Sequence, residues 1–337
     1  MKSAEVKSEE ALSGVSLWDA ITENQKDFNK LMDEGDPKKV FEYLSNAPIN
    51  SLATGILQGK PEAMMLRVNP LYRRLKAKLT ILRFVNLVES IGHGVKTQSP
   101  EQGPWGVDKK YRFSQALSVL DTELGTAVYI PQECYTGLFQ VRIGDRYFNQ
   151  VDLMAIYASM KIRDSVKESS KKSVLEIGGG SGSTAFWCHK LGIGPIHLVD
   201  LPHAAILQAF YLLLSLPESN IWLYGEKKTL NQVEVSIYPH FVKEEIKISN
   251  ISVVFNQDSF AEMHTTVVQD YLKYIVRIGA KKLLSINHES EAIAVADGEG
   301  QVNLTGIIGL HPEFHLQART PNWIRSGYVD TTWGVKS

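Results

Sequence analysis

From Lys172 onward, short apolar runs alternate with helical stretches, and this pattern constrains the fold more than any other feature. The runs are Ser173–Ile177, Ile196–Val199, Ile221–Tyr224, Val233–Ile237, Ile251–Phe255 and Lys282–Ile286. Strands that are apolar along their whole length must be covered on both faces, and the intervening helices supply that cover. The expectation is an α/β domain around a mostly parallel, Rossmann-like sheet. Near the end, Phe314–Arg319 and Tyr328–Val335 alternate in polarity around a turn at Thr320–Ser326. An antiparallel hairpin finishing the sheet is expected there.

The first half reads differently. Leu71–Ile91 is its strongest helix, with Leu75, Leu79, Leu82, Leu87 and Val88 read as one apolar stripe. The neighbouring Arg73, Arg74, Lys76 and Lys78 read as a solvated face. Helices are also expected over Phe113–Leu120 and Val151–Val166. His93–Gly106 reads as a loop, Gly137–Phe148 as two short strands around a Gly-Asp turn, and residues 1–15 as a polar lead-in. We divide the chain into a mainly helical accessory region, 1–150, and an α/β domain, 151–337. Whether the accessory region forms a lid or a homodimer contact stays open.

Composition excludes several classes. Thirty-six basic and 37 acidic residues give a net charge of −1. That balance offers no bulk field for nucleic acid or an acidic membrane, although a local basic patch is compatible with it. Two cysteines, Cys134 and Cys188, cannot form a disulfide framework or a four-thiolate zinc site. Met1–Glu10 is polar and does not read as a secretory signal, and the most apolar window, Ala209–Leu216, is too short to span a bilayer. A cytoplasmic protein with no membrane or nucleic-acid partner is the expectation.

The segment that carries chemistry is Val174–Gly182, VLEIGGGSG. A buried strand ends in a turn with glycine at 178, 179, 180 and 182, and a helix follows. Glycine lets backbone approach a ligand closely, and the helix start offers free N–H groups. In a doubly wound sheet this turn lies at the topological switch point, where ligands bind. Two cofactors compete. Gly180-x-Gly182-x-x-Ala185 can be fitted to a dinucleotide fingerprint. Glu176-x-Gly178-x-Gly180-x-Gly182 fits S-adenosylmethionine (SAM) better, because a carboxylate in the loop suits a sulfonium and an α-ammonium and repels a pyrophosphate. Asp200, at the tip of the next strand, can accept both hydroxyls of a ribose, a feature NAD enzymes share. It can equally cap the helix that begins at Pro202.

VLEIGGGSG followed by LVDLPHA (Leu198–Ala204) resembles the class I SAM-dependent O-methyltransferases. The closer resemblance is to the sugar O-methyltransferase family. It extends to RIGDRYFNQVDLMAIYASMKI (Arg142–Ile162), FNQDSFAEM (Phe255–Met263) and LLSIN (Leu283–Asn287), or roughly residues 135–290. The resemblance implies a class I methyltransferase sheet, SAM as cofactor and a small-molecule hydroxyl acceptor, on a sugar or glycosylated compound. A polyketide or phenolic hydroxyl is the alternative acceptor, and an NAD-linked oxidoreductase the more distant alternative. It also implies that Glu176, Gly178, Gly179 and Gly180 line the methionine end of SAM, while Asp200 holds the ribose and Leu201 meets adenine. Relatives carry an adenine-gripping acid after the third strand; here Tyr238-Pro239-His240-Phe241 has none, so His240 or Phe241 is expected to cover the ring. Asn256 and Gln257 are expected to close over the cofactor.

Methyl transfer is an in-line displacement in which alignment and removal of the hydroxyl proton matter most. Candidate bases lie after the fourth and fifth strands. Asp258 and His288 rank together, Glu262 third and His311 last; His264 lies in the same stretch. Asp258 and Ser259 read equally well as helix caps. Asp200, Asp258 and Glu289 are hard oxygen ligands, but no metal-ligand spacing is diagnostic and no metal is predicted. Trp105, Tyr111, Trp323, Tyr328 and Trp333 read as an acceptor platform or as ordinary core and surface rings.

Overall fold

The computed structural model describes residues 25–47, 50, 52, 56, 60–93, 112–129, 141–144, 146–148, 150–227, 233–289 and 303–336. The lead-in at 1–15, most of the 93–106 loop, Trp105, Tyr111 and Cys134 lie outside the described residues.

Helices dominate the first half, as expected: α1 (Lys26–Glu34), α2 (Pro37–Ser45), α3 (Lys60–Val68), α4 (Pro70–Ser90) and α5 (Phe113–Leu124). Two of them start by the same local chemistry. Asp36 accepts hydrogen bonds from the amides of Lys38 and Lys39 ahead of Pro37, and Asn69 does the same for Leu71 and Tyr72 ahead of Pro70. A short polar cap followed by proline satisfies orphan N–H groups and fixes the first helical φ. A two-stranded ribbon, β1 (Val141–Ile143) and β2 (Arg146–Phe148), then leads into α6 (Gln150–Val166).

The single stripe expected on α4 is in fact two faces. Phe84, Leu87 and Val88 are buried, whereas Leu75 and Leu82 are exposed. The apolar periodicity continued through residues that the core cannot reach.

The second half is built on one eight-stranded sheet: β3 (Val174–Ile177), β4 (Ile196–Asp200), β5 (Ile221–Leu223), β6 (Val235–Pro239), β7 (Val253–Gln257), β8 (Lys282–His288), β9 (Phe314–Pro321) and β10 (Tyr328–Val335). Its order is β5-β6-β4-β3-β7-β8-β10-β9. The six strands β3–β8 run parallel, and β10 inserts antiparallel between β8 and β9. Each expected strand is present, and the terminal hairpin is where the alternating pattern placed it. Helices α7 (Ser183–Lys190), α8 (Pro202–Ser215), α9 (Thr265–Arg277) and α10 (Leu304–Gly309) provide the cover. The chain leaves β3 for β4 on one side and returns to β7 on the other, so the β3–α7 turn sits at the switch point.

The accessory helices share their core with the sheet. Phe28, Phe84 and Leu120 belong to the same buried cluster as Leu153, Val174, Phe186 and Phe255. The change in composition near 150 is therefore not a seam in the core.

Candidate active site

Strand β3 delivers Ile177 to the tip of the sheet, and the next residue turns sharply: Gly178 has φ +73°. A Cβ on Gly178 would lie 2.0 Å from Ser259 Oγ, so backbone geometry and space both require glycine here. Ser259 belongs to a mesh beneath the loop. The Asn256 amide donates to the Ile177 carbonyl (2.9 Å) and to Ser259 Oγ (2.6 Å), and Asn287 donates to Asn256 Oδ1 (3.0 Å). The amide of Phe260 donates to the same Asn256 oxygen at 3.3 Å. The start of the short 3-10 helix Phe260–Glu262 is thus held by Asn256, not by Asp258 or Ser259.

On the other flank, Asp200 turns its carboxylate back toward the glycine loop. Oδ2 accepts from the Gly180 amide (2.9 Å) and from Gln208 Nε2 (2.7 Å), and Oδ1 accepts from the Leu201 amide (2.8 Å). It does not act as the helix cap; Leu201 occupies that position without a side-chain bond. The carboxylate fixes the loop and still borders the open space beyond it.

That space is a cavity of about 660 Å³ at the carboxyl ends of β3, β4, β6 and β7. Gly178, Gly179, Gly180, Glu176, Asp200 and Leu201 line one part, His240 and Phe241 another, and Gln257, Asp258 and Glu262 a third. Eleven of the thirteen site residues expected from the sequence therefore meet in one cavity. The other two do not reach it. Asn256 is fully buried in the mesh behind the wall, and His288 is buried with its ring against Tyr328, centroids 5.6 Å apart. Their strand register placed both at the sheet tip, but their side chains point into the protein.

Two carboxyl groups dominate the electrostatics. Glu176 is buried, and burial followed by the nearby Asp200 charge pushes its pKa from 4.5 to about 8. Burial raises Asp200 to about 6, opposed by the donors from Leu201, Gly180 and Gln208. Such a pair is poised to receive positive charge. At the far end, His240 is only 8% exposed, and among the described residues neither ring nitrogen has a hydrogen-bond partner. Burial, then the Lys243 ammonium, lowers its pKa to about 4, so the imidazole is neutral. A buried polar ring without a partner on a cavity wall is the signature of a site that a ligand completes.

Asp258 borders the cavity but is clasped from behind. Its backbone sits at φ +65°, and both carboxylate oxygens lie 2.6 Å from Arg325 Nη1. Arg325 in turn lies over the Tyr328 ring, 3.6 Å from its centroid, and bonds the Tyr328 hydroxyl. Sequence reasoning did not single out Arg325, which lies 67 residues away in the terminal hairpin turn. It also missed Lys243, Met263, Tyr271, Met154 and Ile56 in the wall. Ile56 comes from the accessory region, so that region helps close the cavity. His264 borders the cavity too, and its ring caps α9 by accepting from Thr266 N at 3.3 Å. Neither His311 nor any of Trp323, Tyr328 and Trp333 forms part of the wall. Among the described residues no cluster of His, Cys, Asp and Glu has metal-binding geometry.

The sheet is the mostly parallel, Rossmann-like arrangement expected from the sequence, with its antiparallel strand inserted next to the last position. No known protein-family model matches the chain, and no curated protein does. Among solved structures it is similar to the mitomycin 7-O-methyltransferase MmcR, with 14% identity, a TM-score of 0.39 and coverage of 54% of each chain. It is also similar to magnesium protoporphyrin IX methyltransferase (ChlM) from Synechocystis PCC 6803, with 12% identity, a TM-score of 0.38 and coverage of 56% of this chain and 86% of that one. The glycopeptide N-methyltransferase MtfA matches at 13% identity and a TM-score of 0.38, over 53% and 89% of the two chains. The chain spans about half the length of MmcR. Likeness at this level carries no inference about activity.

Proposed function

We propose that the protein is a SAM-dependent O-methyltransferase acting on a hydroxyl of a sugar or glycosylated small molecule. One observation carries the reading: two carboxyl groups, Glu176 buried and Asp200 half-buried, meet beside a glycine loop at the switch point, in a cavity large enough for a nucleoside. When bound, SAM supplies the activated methyl group. Ionised Glu176 and Asp200 balance positive charge at that end, and the same pair would repel the pyrophosphate of a dinucleotide. Gly178, Gly179 and Gly180 keep the loop free of side chains. The neutral His240 ring offers one donor and one acceptor to a purine edge, and Phe241 adds an apolar face.

The acceptor hydroxyl is expected near Gln257, Asp258 and Glu262, polar groups suited to a polyol. Asp258, held by Arg325, orients the hydroxyl, and Glu262 takes its proton as general base. The hydroxyl-bearing sugar is favoured by this polar wall and by the sequence resemblance.

Calorimetric titration of the purified protein with SAM, S-adenosylhomocysteine and NAD tests the cofactor directly. The first two are expected to bind and raise the melting temperature, and NAD is expected to do neither. Stabilisation by NAD alone, or by none of the three, overturns the proposal.

A further inference from the structure

Between Ala63 and Val88 the chain carries six cations, Arg67, Arg73, Arg74, Lys76, Lys78 and Arg83, and no carboxylate. In a chain whose totals balance, this local excess stands out. Most of it lies on α4, whose outward face carries a row of leucines. At about 100° per residue, Leu71, Leu75 and Leu82 fall within an arc of about 40°, across the helix from Phe84, Leu87 and Val88. The inner three are in the core; the outer three are 74%, 55% and 42% exposed. None of the α4 residues before Thr80 is buried. Arg74 and Lys78 follow one edge of the leucine row; Lys76 and Arg83 lie on the other side beyond Leu79 and Tyr72, about 80–100° from the row, and Arg73 lies across the helix. Helix α3 extends the apolar area with exposed Met64, Met65 and Val68.

A leucine row flanked by long cationic side chains is suited to lying in the plane of a membrane surface. The leucines enter the acyl boundary, while the guanidinium and ammonium heads reach back to lipid phosphates. We propose that α3 and the N-terminal half of α4 dock this protein onto anionic phospholipid surfaces. Charge selects the occupant. A second copy would bring six cations against six with no carboxylate between them. Nucleic acid would engage the cations and leave the leucines in water. An acidic protein helix is the competing occupant and is distinguished by the test. The docking is independent of the proposed chemistry, since none of these residues borders the cavity.

The test is sedimentation of the full chain with large vesicles of phosphatidylcholine, alone or mixed with phosphatidylserine. Binding is expected only with phosphatidylserine, and it should weaken as salt rises. Replacing Arg74 and Lys78 by Gln is expected to weaken it on the order of twenty-fold, about fivefold per charge. Leu71→Ser with Leu75→Ser should remove it even at low salt. All four positions are exposed, so unchanged melting temperatures confirm that the variants fold. Failure of the wild type to bind either vesicle overturns the proposal and leaves the face to a protein partner. Full binding by the leucine variant also overturns it, because the contact would then be charge alone. So does a wild-type dimer that the leucine substitutions dissociate.

Discussion

At the scale of single residues, Glu176 is the group whose behaviour is most sharply set by its surroundings. Its folded pKa, about 8, lies well above the ordinary carboxyl value of 4.5. A group raised in this way stabilises the fold below its unfolded pKa, and that contribution is lost as pH rises toward its folded pKa. The ligand-free protein should therefore lose stability between about pH 4.5 and pH 8 on account of this side chain. Glu176→Gln removes the effect, and we expect it to raise the melting temperature of the ligand-free protein at pH 8.5 while changing it little at pH 4.5. SAM binding should respond in the opposite sense. A cation favours the ionised carboxylates, so wild-type affinity should climb from pH 6 to pH 8, across the range in which the pair titrates. Glu176→Gln should flatten that climb and weaken SAM by about tenfold at pH 8, as expected for one lost charge-assisted contact. Thermal melts and titrations across this range measure both effects. A variant that is less stable than wild type at pH 8.5, or that keeps the steep pH dependence, contradicts the assignment.

Between elements, the critical contact is the one that joins the β3–α7 turn to the segment after β7. Gly178 and Ser259 approach so closely that a methyl group on the glycine would overlap the serine hydroxyl. Gly178→Ala must bear a positive φ and displace Ser259, at a combined cost of about 3 kcal/mol. Ser259→Gly in the same chain makes room for the methyl and should recover about 1 kcal/mol or more through coupling. Denaturant unfolding of the four proteins in the cycle measures this, and strict additivity would show that the contact is not tight. The glycine itself was legible in the sequence because its neighbours, strand then glycines then helix, are local. The serine was not, because its partner lies 81 positions away in the chain. The same distinction runs through the site. Glu176, Asp200 and the glycines were read from one loop and the following strand tip, where period and punctuation fix which way the backbone turns. Asn256 and His288 were placed at the right strand ends but on the wrong side, because side-chain direction at a tip depends on the neighbouring strand. Asn256 turned inward since the Ile177 carbonyl and Ser259 offered it bonds. Arg325 was missed for the converse reason: nothing near it in sequence announces the carboxylate that it clasps. The two faces of α4 show the limit of periodicity itself, which reports where apolar residues recur and not how far the core extends.

For the whole molecule, the question is whether the helical half and the sheet half are one cooperative unit. The sequence suggests two, since the texture changes near residue 150, yet one buried cluster draws residues from both sides of that line, Phe84 and Leu120 with Val174 and Phe255 among them. Phe84, Phe113 and Phe148 form a three-ring cluster with centroids 4.7 to 5.5 Å apart, tying α4 and α5 to the ribbon that leads into α6. Phe41 of α2 meets Phe210 of α8 edge-on at 5.6 Å. Arg163 of α6 donates to the Glu123 carbonyl at the end of α5, across that line (2.9 Å), and within the sheet half the Tyr157 hydroxyl of α6 donates to Asp330 in β10 (2.5 Å). A shared core of this kind makes the free energy of each half depend on the other. The full chain is then expected to melt in a single calorimetric transition whose calorimetric and van't Hoff enthalpies agree. Phe84→Ala, a large-to-small change in that core worth about 3–5 kcal/mol, should shift the entire transition downward without splitting it. Because Ile56 also borders the cavity, adding S-adenosylhomocysteine should raise the whole transition if the proposed cofactor site is correct. Two resolved transitions, with only the earlier one moved by Phe84→Ala, would show that the halves unfold separately and that the helical region is an appendage to the sheet.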